Sequence, residues 1–282
     1  MATLQSLKSR IESITKTASI TKAMYQIASS KLVTAQNAYE KYYEFKDAFD
    51  DILSDVFNVE ENNLFLETVN RSEHKLFILI SGDRGLVGGY HVQLFKNFLE
   101  HIQKLNKEHV HVITIGRRAY AFADKQKLNR LNKEIIFNHD DIDESILIDY
   151  MENIVKLYVN NFYGEISVFS NKFINSMTYI AENEVLLPLK LKPVKEKKPY
   201  DSYHYEGSKM DNIKDLVMLY VQSRLYGTIV DAKLSEYTSR IMAMKNATDN
   251  ATEALEKLNL KYHQARQQKI TNELLDISNS KL

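Results

Sequence analysis

The chain has no cysteine, which excludes disulfides, thiolate metal sites and cysteine nucleophiles and suits a reducing compartment. It has no excess charge either: 37 basic side chains balance 37 acidic ones over 282 residues. No overall field therefore favours nucleic acid or anionic lipid. No apolar run approaches the ~18 residues that a membrane helix needs. The N-terminal MATLQSLKSRIESITK is amphipathic and lacks the continuous apolar stretch of a secretory signal. A soluble, intracellular protein is expected.

Helix breakers are scarce, and their placement is uneven. Pro188, Pro193 and Pro199 share one twelve-residue window, and seven of the eight glycines fall between positions 82 and 207, with Gly227 outside. Proline disfavours a helix interior by about 3 kcal/mol and glycine by about 1 kcal/mol. Residues 1–75 and 208–282 are therefore free to form two very long helices.

Stepping by alternating three and four residues tests this. The first segment gives Leu4, Leu7, Ile11, Ile14, Ala18, Thr21, Tyr25, Ala28, Leu32, Ala35, Tyr39, Tyr42, Lys46, Phe49, Leu53 and Val56, in which only Thr21 and Lys46 are not apolar. The last segment gives Val230, Leu234, Tyr237, Ile241, Met244, Thr248, Ala251, Leu255, Leu258, Tyr262 and Ala265, broken only by Thr248. Helices sharing such a seam wind about each other left-handedly. Since the segments lie at opposite ends of the chain, antiparallel pairing is the simplest geometry. Beyond Ala265 the register passes to Ile270, Leu274 and Ile277, so the packing should change there. Residues 1–35 carry Lys8, Arg10, Lys16, Lys22 and Lys31 against the single acid Glu12. The stretch ITKTASITKAMYQIASSKL is rich in Ser, Thr and Ala where an ordinary rod would carry charge pairs. Periodicity alone favours a dimerisation rod or coiled-coil adaptor, whereas such a surface suits lying inside something rather than in bulk water.

The middle alternates β-rich and helical runs. Expected strands are Leu76–Ile80, Val110–Ile115, Glu134–Phe137, Ile166–Ser170 and Met177–Leu187. Expected helices are His91–Leu105, Arg117–Lys127 and Ser145–Val159. Near-continuous apolar strands alternating with helices imply a mostly parallel sheet covered on both faces, with the last strand as an antiparallel edge or hairpin. The fold class expected is α/β: a long antiparallel coiled coil of N- and C-terminal helices plus a Rossmann-like domain. Its division is 1–60 for the first coil helix, 70–200 for the α/β domain and 208–282 for the second coil helix.

LFILISGDRGLVGGY follows a strand with a glycine-rich turn, as phosphate sites do. The P-loop, however, needs Gly-Lys-Ser/Thr after four residues, and here neither lysine nor hydroxyl is in place. The dinucleotide fingerprint needs G-x-G-x-x-G, whereas these glycines stand at 82, 85, 88 and 89. Asp83 would also set a carboxylate against phosphate, although Arg84 could offset it. Gly82, Gly85, Gly88 and Gly89 read better as a structural loop that lets another element pack closely. The eight histidines show no HExxH or i,i+4 pairing. His109 and His111 share a strand face without an obvious carboxylate. HDDIDES (139–145) lacks the calcium-loop pattern and reads as a capped helix start. No Gly-x-Ser-x-Gly elbow is present. No catalytic, cofactor-binding or metal residues are assigned. In residues 190–210, Tyr203, Tyr205 and Glu206 form either an exposed contact patch or part of a solvated connector.

Three stretches carry a family resemblance: LKSRIESITKTASITKAMYQIASSKL, GDRGLVGG, and MAMKNATDNATEALEKLNLKYHQARQQKITNELLDI. Together with SNKFINSMT (170–178) and YGTIVDAKLSEYTSRI (226–241), they resemble the gamma chain of F-type ATP synthases over nearly the whole sequence. The resemblance implies a central rotor shaft inside a ring of three alpha and three beta subunits, with the α/β part against the epsilon subunit and the c-ring. It implies beta-subunit contacts at Lys22, Met24, Arg266 and Gln267, and c-ring or epsilon contacts at Tyr203, Tyr205 and Glu206. It implies no active site and no cofactor in the chain itself, no nucleic acid, and membrane association through partners only. Because the chloroplast-type cysteine insertion and a transit peptide are missing, a peripheral place on the cytoplasmic side of a bacterial cell membrane is expected.

Overall fold

Two helices supply most of the regular structure in the computed structural model, α1 (Leu4–Phe57, 54 residues) and α5 (Lys209–Asn279, 71 residues). The structure describes residues 3–57, 72–136, 138, 144–175, 178–189 and 209–279. By internal contacts the chain forms two units: Met1–Lys31 with Arg240–Leu282, and Leu32–Ser239.

In the first unit the sequence seam is the sheltered face. Leu7, Thr21, Ala28, Met244 and Ala251 are buried. Leu4, Ile11, Ile14 and Ala18 on α1 are half-buried, as are Ile241, Leu255, Leu258, Tyr262 and Ala265 on α5. The two polar breaks in the pattern meet each other. The Thr248 hydroxyl donates to the Thr21 hydroxyl at 2.8 Å, whose own hydrogen goes to the Ala18 carbonyl at 3.1 Å. Polar side chains that pair inside an apolar seam avoid the desolvation penalty and fix the register. Tyr25 departs from expectation: it is 37% exposed, and its neighbour Met24 is half-buried. A seam narrowed by Ala18, Thr21 and Ala28 takes the slim, adaptable methionine more readily than a phenol ring. Counting outward from the threonine pair, α1 begins at Leu4 where α5 has reached Ala265. Past that point α5 has no opposing turn of α1, and Ile270 and Leu274 are exposed. The side chain of Ile277 lies outside the described residues.

The second unit is built on a five-stranded sheet. Its strands are β1 (Lys75–Ile80), β2 (Val110–Ile115), β3 (Asn129–Arg130), β4 (Glu165–Asn175) and β5 (Thr178–Leu187), in the order β3-β2-β1-β4-β5. β1 pairs parallel with β2 and β4, and β2 parallel with β3. β4 and β5 form the antiparallel edge hairpin. Between the strands run α2 (Tyr90–Ile102), α3 (Arg117–Lys125) and α4 (Glu144–Val159).

β1 explains why its sequence is an unbroken apolar run. Leu76, Ile78 and Ile80 join a core with residues of α1, α4 and α5, including Leu53, Ile154 and Val217. Phe77 and Leu79 face the other way, against Leu94 and Phe98 of α2 and Ala119 of α3. Both faces of the strand are covered, and each buried large side chain contributes about 1.5–3 kcal/mol. Within this unit α1 and α5 also run antiparallel: Tyr43 meets Asp231 at 3.1 Å, and further along α1 Asp50 meets Arg224 at 3.9 Å.

One expected strand is corrected. Among its described residues, Glu134–Phe137 shows only an isolated bridge from Ile136 to Ile115, and the strand that pairs with β2 is the shorter Asn129–Arg130. The side chain of Asn132 accounts for the displacement. It accepts from the Thr114 amide at 2.9 Å and donates to the Glu134 carbonyl at 2.8 Å, satisfying in place of a backbone ladder the groups that a longer strand would use.

Candidate functional site

In an open parallel sheet, ligands bind outside the carboxyl ends of the strands where the strand order reverses. Here that point lies between β1 and β4, next to the glycine loop 82–89. The chain occupies it with its own helix. A Cβ added to Gly82 would stand 2.3 Å from the Glu236 carboxylate of α5, which would have to swing aside, so glycine leaves room for this side chain against the loop. The Tyr90 hydroxyl donates to the Ala232 carbonyl at 2.9 Å, and Asn171 donates to the Tyr90 carbonyl at 3.2 Å. Ser235 donates to the Asn171 carbonyl at 3.3 Å, and Ser239 to the Val87 carbonyl at 2.7 Å. Ala232, Leu234, Ser235, Glu236, Thr238 and Ser239 are all buried. This stretch of α5 is therefore enclosed on nearly every side, and its small and hydroxyl side chains let it sit close to the loop.

The anion-binding end of α3 is filled in the same way. A helix N-terminus offers unpaired N–H groups that phosphate sites exploit. In α3, Arg117 N–H donates to Asp83 Oδ1 at 2.8 Å, Arg118 N–H to the Gly82 carbonyl at 3.2 Å and Ala119 N–H to Ser81 Oγ at 2.7 Å. Asp83, which looked out of place for a phosphate loop, caps the first amide of α3. Gly116 precedes that helix at φ +94°, and a Cβ there would come within 2.1 Å of the Ser81 carbonyl oxygen. The loop's backbone geometry thus serves contact between β1, α3 and α5.

The residues expected to touch partners fall in several places. Lys22 is exposed and Met24 half-buried on α1, and Arg266 and Gln267 are exposed on α5. They belong to one unit but not to one patch. Residue 266 lies eighteen positions beyond Thr248, the partner of Thr21, or about 27 Å along the helix axis. In the same unit, Ile20 and Ile27 of α1 and Leu260 of α5 are each about 60% exposed. Tyr203, Tyr205 and Glu206 lie outside the described residues. His109 does have a carboxylate beside it: its Nδ1 is 3.2 Å from Glu73 Oε2. His74 lies against both His109 and His111, with ring centroids 4.7 and 5.5 Å away. Burial lowers the pKa of His111, with His74 adding to the effect. No group of three metal-ligating side chains occurs among the described residues. Sequence reasoning missed the insertion of α5 into the crevice. The one signal in the sequence was the recurrence of small side chains at Ala232, Ser235 and Ser239.

Two long helices pairing antiparallel, one of them taking the ligand position of a Rossmann-like sheet, define a class of α/β protein whose crevice serves to hold its own helix. Comparison with known proteins places the chain within that class. The family model described as ATP synthase matches residues 3–280. An ATP synthase gamma chain from Clostridium kluyveri is 36% identical over 281 residues, covering 98% of this chain and 96% of the relative. One from Pelagibacter ubique is 32% identical over 289 residues, covering 98% of each. Among solved structures, a chain of the Tetrahymena thermophila mitochondrial ATP synthase central stalk and c-ring has a TM-score of 0.60 at 17% identity, covering 81% of this chain and 99% of that one. A chain of the Euglena gracilis mitochondrial enzyme has a TM-score of 0.58 at 14% identity, covering 97% and 94%. These two share the fold. The chain belongs to the ATP synthase gamma chain family.

Proposed function

We propose that the chain is the central rotor shaft of a proton-translocating F-type ATP synthase, coupling c-ring rotation to the conformational cycling of the catalytic beta subunits. The observation that carries this reading is α5 itself. One unbroken helix of 71 residues both closes the sheet crevice and pairs with α1. A helix locked into the core by buried hydrogen bonds resists rotation about its axis, as torque transmission requires. The exposed apolar residues of the first unit, Ile20, Ile27 and Leu260, together with the single acid among residues 1–35, suit a surface enclosed by an alpha–beta ring.

In this reading the chain contributes no catalytic residue. Lys22 and Met24 press on an acidic segment of beta, Arg266 and Gln267 hold a beta loop, and Tyr203, Tyr205 and Glu206 form the foot toward the c-ring and epsilon. The division into 1–60, 70–200 and 208–282 then separates coil helices from the part that receives torque. No helix among the described residues is long and apolar enough to cross a membrane. The chain is held on the cytoplasmic side of the bacterial membrane by its partners.

Met24→Lys in the reconstituted complex tests the coupling role. Half-buried beside the seam, the new ammonium would face acidic beta groups in a desolvated contact, adding an attraction of about 1 kcal/mol or more that rotation must break. Protons pumped per ATP hydrolysed should fall while the complex still assembles. Unchanged pumping per ATP overturns the assignment of Met24.

A further inference from the structure

Between α1, α5 and the β4–β5 hairpin lies a polar cavity of about 160 Å³, with room for several water molecules. Tyr43 and Lys46 of α1, Lys172 of β4, Glu184 of β5, and Arg224 and Asp231 of α5 line it. Asp231 is only 6% exposed. Its Oδ2 accepts from the Tyr43 hydroxyl at 3.1 Å, while Oδ1 is buried with no protein hydrogen-bond partner among the described residues.

Each cation lining the cavity is already engaged by a different acid. Lys172 is 2.9 Å from Glu182 of β5, and Arg224 is 2.6 Å from Glu184 and 3.9 Å from Asp50. Lys46 lies 3.4 Å from Asp50 and 3.7 Å from Asp47. Asp231 therefore shares Lys172 only at longer range, and Glu182 and Glu184 oppose its ionisation. A buried carboxylate without a cation of its own takes up a proton instead.

We propose that this cavity is a single-proton site in which Asp231 is held as the neutral acid, and that loss of its proton loosens the packing of α1 and the hairpin on α5. In the neutral form the carbonyl oxygen accepts from Tyr43 and the O–H is directed into the cavity. In the ionised form a bare charge stands among carboxylates and draws water in. Tyr43 remains the donor throughout, because burial raises the pKa of its hydroxyl, with Asp231 adding to the effect.

The direction of the linkage follows. Burial raises Asp231 from 3.8 to about 7, and Glu184 and Glu182 push the same way against Tyr43 and Lys172. A group that binds its proton more tightly when folded stabilises the fold fully at low pH. That contribution declines as pH rises from its unfolded value and is lost above about 7.

The test compares the full chain with Asp231→Asn, which keeps an acceptor for Tyr43 and removes the titration. Amide exchange of the α5 turn around residue 231, taken relative to the variant at the same pH, should rise roughly 30-fold between about pH 5.5 and about pH 8.5. Infrared titration of the wild-type chain provides a reading that does not depend on the variant. A protonated carboxyl band should be present at the lower pH and disappear with a midpoint near neutrality. A pH-independent ratio between the two chains, or no such band at the lower pH, overturns the proposal.

Discussion

Gly227→Ala sets two forces of opposite sign against each other. Gly227 lies inside α5, where replacing glycine with alanine should stabilise a helix by about 1 kcal/mol. Here, however, a Cβ would stand 2.0 Å from Tyr42 Cζ and 2.1 Å from Cε1. Carbon atoms pack best at about 3.5–4.0 Å, so the ring must withdraw by roughly 1.5 Å. Tyr42 is 7% exposed and set edge-on to Tyr43 at 5.4 Å and to Tyr226 at 6.1 Å. It also borders two cavities, a polar one of about 160 Å³ that Gly227 shares and an apolar one of about 720 Å³, so the ring has some room to shift. Overpacking is unfavourable by about 1–3 kcal/mol, and a ring held at its edges but bordered by cavities belongs near the middle of that range. Against the helix gain, the net expectation is a loss of about 1 kcal/mol. Urea titration of the full chain followed by circular dichroism should show a lower midpoint, and Tm should fall by roughly 2–4 °C for a unit of this size. Combining the change with Tyr42→Ala removes the clash, so the double variant should be more stable than the sum of the single effects by at least about 1 kcal/mol. If Gly227→Ala is as stable as the parent, or the cycle is additive, close packing of this glycine against the ring is not what holds α1 to α5.

Gly116→Ala should be worse, because its neighbour is the Ser81 carbonyl, a backbone atom that cannot swing aside, and φ is +94°. A loss of about 3 kcal/mol or more is expected by the same titration, and a smaller loss for Gly82→Ala, whose neighbour is a side-chain carboxylate. Asp83→Ala should remove the cap of α3 and destabilise by about 1 kcal/mol, with faster exchange at the Arg117 amide, while Asp83→Asn retains most of both.

What the sequence made legible followed from periodicity. The three-four stepping found the paired face of both helices, and two of its three polar exceptions, Thr21 and Thr248, proved to be partners. β1 and β2 were visible as apolar runs because a strand covered on both faces has no polar side. Where burial is not periodic, the pattern is silent. Residues 228–239 of α5 are enclosed nearly all round, so nothing in their spacing marks the sheet loop as their neighbour. Asn132 ended a strand through a side-chain hydrogen-bond pattern that strand propensity does not register. Tyr25 and Met24 exchanged roles because local seam width, rather than hydrophobicity, decides which side chain fits.

The crevice contacts also set an order of events during synthesis. Tyr43 and Asp231 are separated by 188 positions, and Tyr90 and Ala232 by 142. Much of the apolar face of the first helix translated therefore has no partner until α5 has left the ribosome. Until then the nascent sheet exposes greasy strand ends that chaperones would have to shield, and a message truncated before α5 would yield a product fit only for degradation.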